Sequence, residues 1–415
     1  MNRSCVRVLL VAVALAPLRA SAGGISLYEV GTSDVGLASA GYGARAQDAS
    51  TVLTNPAGMT RLDGARLLVG GQLLYADTSF TPGSGTSTGL GTNPGGNPVG
   101  WFPGGGAFFT WAISPTLAVG FATAGTFGLK LGYDPAWVGR YYAQEATLIG
   151  LSMLPSIAWK PADQLSIGAS LHAMYGVLGQ KFAINERGSA DGQVRYDDTA
   201  WGVGANVGVL WEPRPGTRVG VTYNSQVNLG FSAVPETTGA SGPTRTLEIG
   251  MHVPQGVMLS ALQELSDRWA LLASGGWQQW SKFGELEVSI SDNTASPATA
   301  DLHFKDTWHG ALGAQFQLNP AWRIDGGVAY DSAFQDSADV SPILPVNAAW
   351  RFGLGLRHEG AGSFSWGVAG EFATGPSLQL SRQATLPLAL GGRGDLAGSY
   401  SPYTLFLAAS LDWKL

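Results

Sequence analysis

The stretch that decides the fold is Trp350-Arg351-Phe352-Gly353-Leu354-Gly355-Leu356-Arg357. Its large apolar residues occupy every second position, and its two arginines fall on the positions between them. Successive side chains of a β-strand point to opposite faces, so this period of two predicts a strand with one apolar and one polar face. The pattern by itself fits either a membrane barrel or a soluble β-sandwich.

The same alternation recurs elsewhere in the chain. Three further segments carry apolar faces, formed by Val219, Val221, Tyr223 and Val227, by Trp322, Ile324, Val328 and Tyr330, and by Tyr403, Leu405, Leu407, Leu411, Trp413 and Leu415. Arg218 and Arg323 lie on the opposite, polar faces of the first two segments. In a barrel these polar faces would line the lumen.

The connections between strands favour the membrane barrel. Six short turns lie at 114–116, 161–163, 213–216, 264–267, 319–320 and 358–362. Seven long polar or glycine-rich segments lie between them, at 78–103, 128–145, 184–198, 230–245, 284–302, 333–347 and 377–399. Short periplasmic turns that alternate with long extracellular loops are typical of outer-membrane barrels. The connections predict about fourteen antiparallel strands, an even number that lets the sheet close without a free edge.

Tryptophan positions support the same fold. Seven of them lie close to a short turn or to the end of the last strand, namely Trp111, Trp159, Trp211, Trp269, Trp322, Trp366 and Trp413. Indole rings prefer the membrane interface, where the ring meets hydrocarbon and the N–H meets water. We therefore predict an all-β transmembrane barrel, over residues 64–415, with an aromatic girdle at its periplasmic end.

The first residues have the features of a secretory signal peptide. Arg3 and Arg7 precede an apolar run at 8–16, which is too short to span a bilayer, and a cleavage site follows at 20–22. Cleavage of residues 1–22 would remove Cys5, the one cysteine, and would change the net charge from −6 to −9. The remaining chain has no basic patch that would attract nucleic acid.

Residues 23–63 do not alternate as a barrel strand does. They are small and end in the turn Asn55-Pro56-Ala57-Gly58-Met59, whose proline and glycine define a sharp local conformation. The segment is either a disordered tail with a linker turn or an interior plug. A lumen bounded by about fourteen strands is wider than side chains alone can fill, so we favour the plug.

The sequence carries no pattern that predicts catalysis, a cofactor or a metal site. Residues 168–172 fall short of a nucleophile elbow, and 202–206 belong to a strand rather than to a dinucleotide fingerprint. His172 and His309 lie on predicted inward faces, but the histidines lack the spacing of metal ligands. An outer-membrane hydrolase is the weakest of the alternatives.

Several segments together resemble a known family. They are 36–59 with the Asn55–Met59 box, 137–141, 154–158, 198–211, 280–283 and 308–313. In this order they are similar to the outer-membrane long-chain fatty-acid transporters of the FadL/TodX type. Two departures are the final Trp413-Lys414-Leu415, where such barrels commonly end in phenylalanine, and the short polar segment 184–198, where the family usually forms part of its outer groove.

The resemblance implies a fourteen-stranded barrel plugged by an N-terminal hatch that contains Asn55, Pro56, Ala57, Gly58 and Met59. It also implies that hydrophobic ligands leave sideways through a gap at a kink in the third strand, without an energised partner. That strand would be about 117–127, with Ala118, Gly120, Ala122 and Ala124 facing inward; Gly120, Ala122 and Gly125 are the candidates for the opening. Small residues there also fit simple packing against the plug.

A hydrophobic ligand with a carboxylate head would need a cation or amide donors in the lumen. The candidates are Arg140, Arg218, Arg323, Arg351 and Arg357, each of which could instead belong to an ordinary charge network. We expect a monomer in the Gram-negative outer membrane that takes up long-chain fatty acids. An aromatic-hydrocarbon transporter of the same family, a general porin and a structural or adhesive surface protein are the alternatives.

Overall fold

The computed structural model describes Tyr28, Val30 and residues 33–415, apart from 188–189, 240–244, 291–297, 337 and 361. The predicted signal peptide, at 1–22, and the first part of the predicted plug segment lie outside these residues. The described chain is dominated by one closed antiparallel barrel of fourteen strands. Each strand pairs with the next along the chain, and the last pairs with the first.

The strands of the barrel, numbered in chain order, are β1 (Ala65–Asp77), β2 (Gly100–Ser114), β3 (Leu117–Gly132), β4 (Glu145–Ala162), β5 (Leu165–Ile184), β6 (Gly192–Arg214), β7 (Thr217–Asn224), β8 (Gly256–Glu264), β9 (Trp269–Gln278), β10 (Thr307–Asn319), β11 (Trp322–Asp331), β12 (Ala349–Glu359), β13 (Phe364–Thr374) and β14 (Tyr403–Lys414). The predicted all-β barrel of about fourteen strands is confirmed. Glu236–Thr238 adds a short strand to the outer end of β6.

The short turns lie where the alternation predicts them, but three details of the prediction are wrong. Strand β5 extends to Ile184 and β6 begins at Gly192, so the segment 184–198, which was predicted to be a loop, is mostly strand. Strand β3 continues beyond the predicted residue 127, to Gly132. Val227 does not share a face with Val221, because β7 ends at Asn224 and the chain then turns inward.

The outer surface carries two belts of tryptophan. The periplasmic belt includes exposed Trp111, Trp159, Trp211 and Trp269, and a second belt, which the sequence analysis missed, includes Trp101, Trp201, Trp308 and Trp350. On β2 and on β6 the belts lie ten residues apart. Ten residues extend about 33 Å along a strand, and strand tilt reduces this to about 25 Å, the height of the apolar band of such barrels.

Strands β4, β5 and β6 are 18, 20 and 23 residues long, longer than a membrane crossing needs. Their outer ends cover an inner sheet, formed in the order Ala298–Asp301, Glu285–Ile290, Leu247–Val253 and Val227–Ala233. The inner sheet approaches glycines of the wall. A Cβ placed on Gly176 would lie 2.7 Å from Leu229, and one on Gly202 would lie 2.5 Å from Val227. The lumen is therefore occupied at its extracellular end.

The remaining elements are short. A small sheet joins Phe80–Pro82, Leu396–Tyr400 and Leu378–Arg382 in the extracellular connections. The α-helices are α1 (Ser33–Leu37), α2 (Thr51–Thr54) and α3 (Trp280–Gly284), and the 3-10 helices are Pro56–Arg61, Thr88–Leu90 and Leu388–Leu390. Within the described part of the chain, none of the helices has the length and hydropathy needed to cross a membrane.

Candidate functional site

Residues 33–62, called the plug below, lie inside the barrel. Helix α1 packs on the inner faces of β11, β12 and β13, and the 3-10 helix Pro56–Arg61 packs on β4, β5 and β6. Backbone meets backbone at these contacts: a Cβ on Gly36 would lie 2.8 Å from the Cα of Gly355. Glycines on the inner wall thus make room for the plug.

The Asn55–Met59 box forms a compact junction between the plug and the wall. The Asn55 side-chain amide donates to the carbonyl oxygens of Gly43, at 2.6 Å, and Val209, at 3.1 Å. Its Oδ1 accepts the Ala57 N–H at 3.1 Å and caps the 3-10 helix that Pro56 begins. Asn55 therefore joins two parts of the plug to β6, since Val209 lies on that strand.

Ion pairs also connect the plug to the wall. Arg45 pairs with Asp34 within the plug, and Arg357 on β12 lies 3.6 Å from Asp48. Arg218 on β7 donates to the Arg45 carbonyl at 2.7 Å. Burial alone would raise the pKa of the Asp48 carboxyl, but Arg45 and Arg357 outweigh it and hold that pKa below its ordinary value. Asp48 thus stays ionised and keeps these contacts.

Two of the predicted head-group arginines are therefore occupied by the plug. Arg357 also pairs with Asp412 at 2.6 Å, and Arg218 also approaches Glu264 at 3.4 Å. Arg323 pairs with Asp325 at 2.8 Å and lines a periplasmic vestibule of about 520 Å³. The structure places these three arginines below or beside the plug.

The wall is interrupted between β2 and β3. Their ladder extends from Ser114 and Leu117 only as far as the pair Gly106 and Ala124. Beyond that pair, residues 100–105 are paired with β1, and Gly125 and residues 127–132 are paired with β4. Among the described strands this leaves a separation in the extracellular half of the wall, called the wall gap below.

A β-bulge lies at the edge of the wall gap. The register between β3 and β4 shifts between Gly125 and Phe127, so Thr126 has no counterpart in that ladder. Gly125 thus lies at the edge of the gap. Gly120 and Ala122 lie below it, where β3 is paired on both sides. Gly120 faces the plug: an added Cβ would lie 2.5 Å from the Met59 sulfur.

Three of the cavities that the described residues enclose lie above the plug. A cavity of about 170 Å³ is lined by Trp280, Phe334, Arg351 and Phe406, among others. The second, of about 90 Å³, lies behind the wall gap and includes Thr126, Phe127, Leu154, His172 and Met174 in its lining. The third, of about 70 Å³, is almost wholly apolar and is lined by residues that include Leu129, Leu148, Leu178, Met251, Phe283 and Phe304. Tyr28 borders the first two.

Arg351 is the predicted head-group residue that reaches a cavity above the plug. Its Nε donates to Glu371 at 2.8 Å, and its guanidinium donates to Asp331 at 3.2 Å. Asp331 is also 2.7 Å from the His309 ring. Arg351 thus enters the largest of these cavities with two carboxylates already bound to it.

Arg140 lies in the extracellular connections and contacts none of the three cavities. It donates to Asp191 at 2.7 Å and to the Leu90 carbonyl at 3.0 Å. Burial would lower the pKa of its guanidinium, but the partnership with Asp191 and Tyr141 outweighs burial and raises that pKa. Arg140 therefore fastens three extracellular segments together.

Sequence reasoning missed the part of the aromatic cavity lining that comes from connections between barrel strands, which includes Trp280, Phe283, Phe304 and Phe334. Trp280 and Phe283 stand on α3, and their rings approach Phe127 of β3 at 6.2 and 5.7 Å. A separate aromatic contact lies in the extracellular connections, where the Tyr133 ring stacks on the Trp137 ring with 3.8 Å between their centroids. Within the described residues, no three His, Cys, Asp or Glu side chains are grouped as a metal site would require.

Several known proteins are similar to this chain in sequence or in fold. Outer membrane protein P1 of Haemophilus influenzae is 25% identical over 91% of this chain and 92% of its own length. The long-chain fatty acid transport protein of Escherichia coli strain K12 is 24% identical over 81% and 84%. Among solved structures, a Pseudomonas aeruginosa FadL homologue superposes with a TM-score of 0.81 at 20% identity, over 94% of this chain and all of that one.

A toluene transporter, TodX of Pseudomonas putida, superposes with a TM-score of 0.66 at 14% identity, over 88% and 94% of the two chains. These structural likenesses establish the fold. Residues 13–362 match the sequence model of the family described as outer membrane protein transport protein (OMPP1/FadL/TodX). The chain belongs to this family, as its sequence motifs predict, and is an integral β-barrel of the Gram-negative outer membrane.

Proposed function

We propose that this protein takes up hydrophobic small molecules from outside the cell and releases them sideways into the outer membrane. The observation that carries the proposal is the wall gap between β2 and β3, which lies beside an apolar cavity and directly above the plug. A molecule leaving through it would pass from apolar lining to lipid. The proposal needs no energised partner, because transfer of an apolar molecule from water to lipid is favourable overall.

The cavities supply a physical reason for binding. Burial of an alkyl chain contributes roughly 0.8 kcal/mol per CH2 group, and the lining of the third cavity is almost wholly apolar. Phe127 and Leu129 on β3 face inward beyond the bulge, where α3 brings Trp280 and Phe283 against Phe127. Apolar side chains thus border a path from the extracellular connections to the wall gap.

Long-chain fatty acids are the ligand class that we propose first, with aromatic hydrocarbons as the alternative. Relatives are named for fatty-acid transport and for toluene transport, and Arg351 is the cation that a carboxylate in the largest cavity would meet. The protein would act as a monomer, because the plug, the cavities and the wall gap all belong to one barrel. We also propose that the Asn55–Met59 box controls the movement of the plug during transport.

Deletion of Thr126 tests the lateral route. Removal of the bulged residue restores one continuous register between β3 and β4 and should bring β3 back toward β2. We expect uptake of a labelled long-chain fatty acid to fall at least tenfold, in cells without another such transporter. Deletion of Leu318, at the bulge of β10 near the periplasmic turn, is the matched control. Normal uptake by folded Thr126-deleted protein would exclude the wall gap as the route.

Glu371→Gln tests the role of Arg351. The substitution removes a carboxylate 2.8 Å from the Arg351 Nε and leaves Asp331 as the partner of that guanidinium. The glutamine oxygen can still accept from Nε, but the loss of one negative charge leaves more of the Arg351 charge uncompensated, and we expect carboxylate affinity to rise about tenfold. The methyl ester of the same acid should bind unchanged. Glu359→Gln, beside Arg357, is the control; equal affinities in all three proteins would remove Arg351 from the ligand site.

A further inference from the structure

A row of hydrogen-bonded side chains, called the polar chain below, crosses the inner face of the wall at the edge of the wall gap. The Thr126 hydroxyl lies 2.6 Å from the Ser152 hydroxyl, which lies 2.7 Å from Nε2 of His172. These side chains belong to β3, β4 and β5, so the chain leads from the bulge into the second cavity. Nearer the periplasm, the Ser156 hydroxyl lies 2.6 Å from the Ser170 hydroxyl and 3.0 Å from the Leu154 carbonyl oxygen, so both hydroxyls have a partner within the wall.

The imidazole at the end of the polar chain has one unpaired ring nitrogen. Nδ1 of His172 is buried and has no hydrogen-bond partner among the described residues. If Nε2 accepts from Ser152, Nδ1 carries a proton and can donate; if Nε2 donates, Nδ1 can accept. A buried polar atom without a partner costs free energy, and a ligand that supplies the partner gains that interaction.

The surroundings of His172 select against charge. The lining of the second cavity is largely apolar and includes Phe127, Leu154, Met174 and Met258. None of the described residues that line it is Lys, Arg, Asp or Glu. Asn224, Ser225 and Gln278 add neutral polar groups to the lining. An anionic carboxylate would thus exchange its hydration for neutral hydrogen bonds without gaining a cation, whereas a hydroxyl or a carbonyl has far less hydration to lose.

We propose that His172, oriented by Ser152 and Thr126, is a binding subsite for one uncharged oxygen group of the hydrophobic ligand. The group is a hydroxyl, a carbonyl or a protonated carboxyl, and its hydrogen bond to Nδ1 holds the ligand beside the wall gap. This inference rests on the proposed uptake function. It makes the polar end of the ligand, rather than chain burial alone, a determinant of which molecules reach the gap.

The test compares decane, decanol and decanoate, radiolabelled, in equilibrium binding to the full-length protein in detergent. Decanoate is measured above the pKa of the free acid. We expect the unaltered protein to prefer decanol to decane, and we expect decanoate binding, which Arg351 would serve in the largest cavity, to be insensitive to substitution of His172. His172→Phe should weaken decanol binding about three- to tenfold and leave decane unchanged, because one hydrogen bond is lost and apolar volume is kept. His172→Gln should retain most of the preference, and Ser170→Ala all of it.

Other outcomes separate the two proposals. Equal losses for decane and decanol in His172→Phe would mean that His172 only packs, and equal binding of both by the unaltered protein would also overturn the subsite. Either result leaves hydrophobic uptake standing. Failure of folded, unaltered protein to bind any of the three probes would instead overturn the proposed function. Heat-dependent mobility in gels verifies that each variant forms the barrel.

Discussion

Oxidation of a Gly43→Cys/Ser260→Cys variant to the disulfide is expected to lower the rate of hydrophobic uptake at least tenfold, and reduction is expected to restore it. A Cβ placed on Gly43 would lie 3.7 Å from the Cβ of Ser260, close to the mean separation in disulfides, which is about 3.8 Å. The bond would tie the plug to β8 at a point where the Gly43 N–H already donates to Ser260 at 2.9 Å. The locked plug would keep its present position.

The large effect follows from where the plug lies. Met59 and Val52 pack on Gly120 of β3, so the plug supports the wall directly below the gap. If ligand release requires the plug to shift, a covalent bond to β8 prevents that shift without altering the cavities. The background is simple, because Cys5 is the one native cysteine.

The single variants and the reduced double variant serve as controls for the lock. Gly43→Cys and Ser260→Cys each add one thiol at the same place and should transport normally under oxidation. Uptake that stays normal in the fully oxidised double variant would show that the plug can remain fixed during transport. In that case the plug is a permanent support and the wall gap operates alone.

Gly58→Ala is expected to loosen the plug and raise ion conductance across planar bilayers severalfold. An added Cβ would collide with the Thr51 hydroxyl and lie 2.6 Å from the Ala46 Cβ. Overpacking of this kind costs roughly 1–3 kcal/mol. The plug contacts of Asn55 depend on the same turn, so the strain should weaken the link to Gly43 and Val209. Pro56→Ala should add to the effect by freeing the first residue of the 3-10 helix.

Gly71→Ala is the matched control for this experiment. Gly71 lies on β1 with nothing within 4 Å of an added Cβ, so the same chemical change meets open space. The barrel itself should remain intact in both variants. Unchanged conductance and unchanged uptake in Gly58→Ala would reduce the box to a linker turn. Large steady currents in the unaltered protein would instead favour the general porin.

The wall of the barrel could be predicted from the sequence because its determinants are local. A period of two and alternating turn lengths depend on residues close in the chain, and both survive in the structure. The error at Val227 arose where one strand-like pattern has two possible positions, in the wall or in the inner sheet. Val227–Ala233 alternates as a wall strand does, yet it pairs with Leu247–Val253 inside the barrel. Pairing with residues distant in the chain decides whether such a segment becomes a wall strand or a strand of the inner sheet.

The candidate site was less predictable for the same physical reason. An inward arginine can be identified from alternation, but its partners cannot: Arg351 meets Asp331 and Glu371 across neighbouring strands, and Arg357 meets Asp48 of the plug. The position of the unpaired Nδ1 of His172 depends on side chains of two other strands and on the bulge in β3. Pairing and cavity shape are properties of the closed barrel, whereas polarity and face are properties of each strand.

The glycine contacts of the plug have a consequence for assembly. Where Gly36 of α1 meets Gly355 of β12, backbone replaces side chains on the inner wall, so an empty barrel would contain a void along this strand. The plug directly precedes β1, and β1 forms the seam with β14, the last strand to be synthesised. The segment that comes first in the described chain therefore fills the space that the last barrel strand encloses. If the seam closed first, that segment would have to enter through the periplasmic end, where the turns are short.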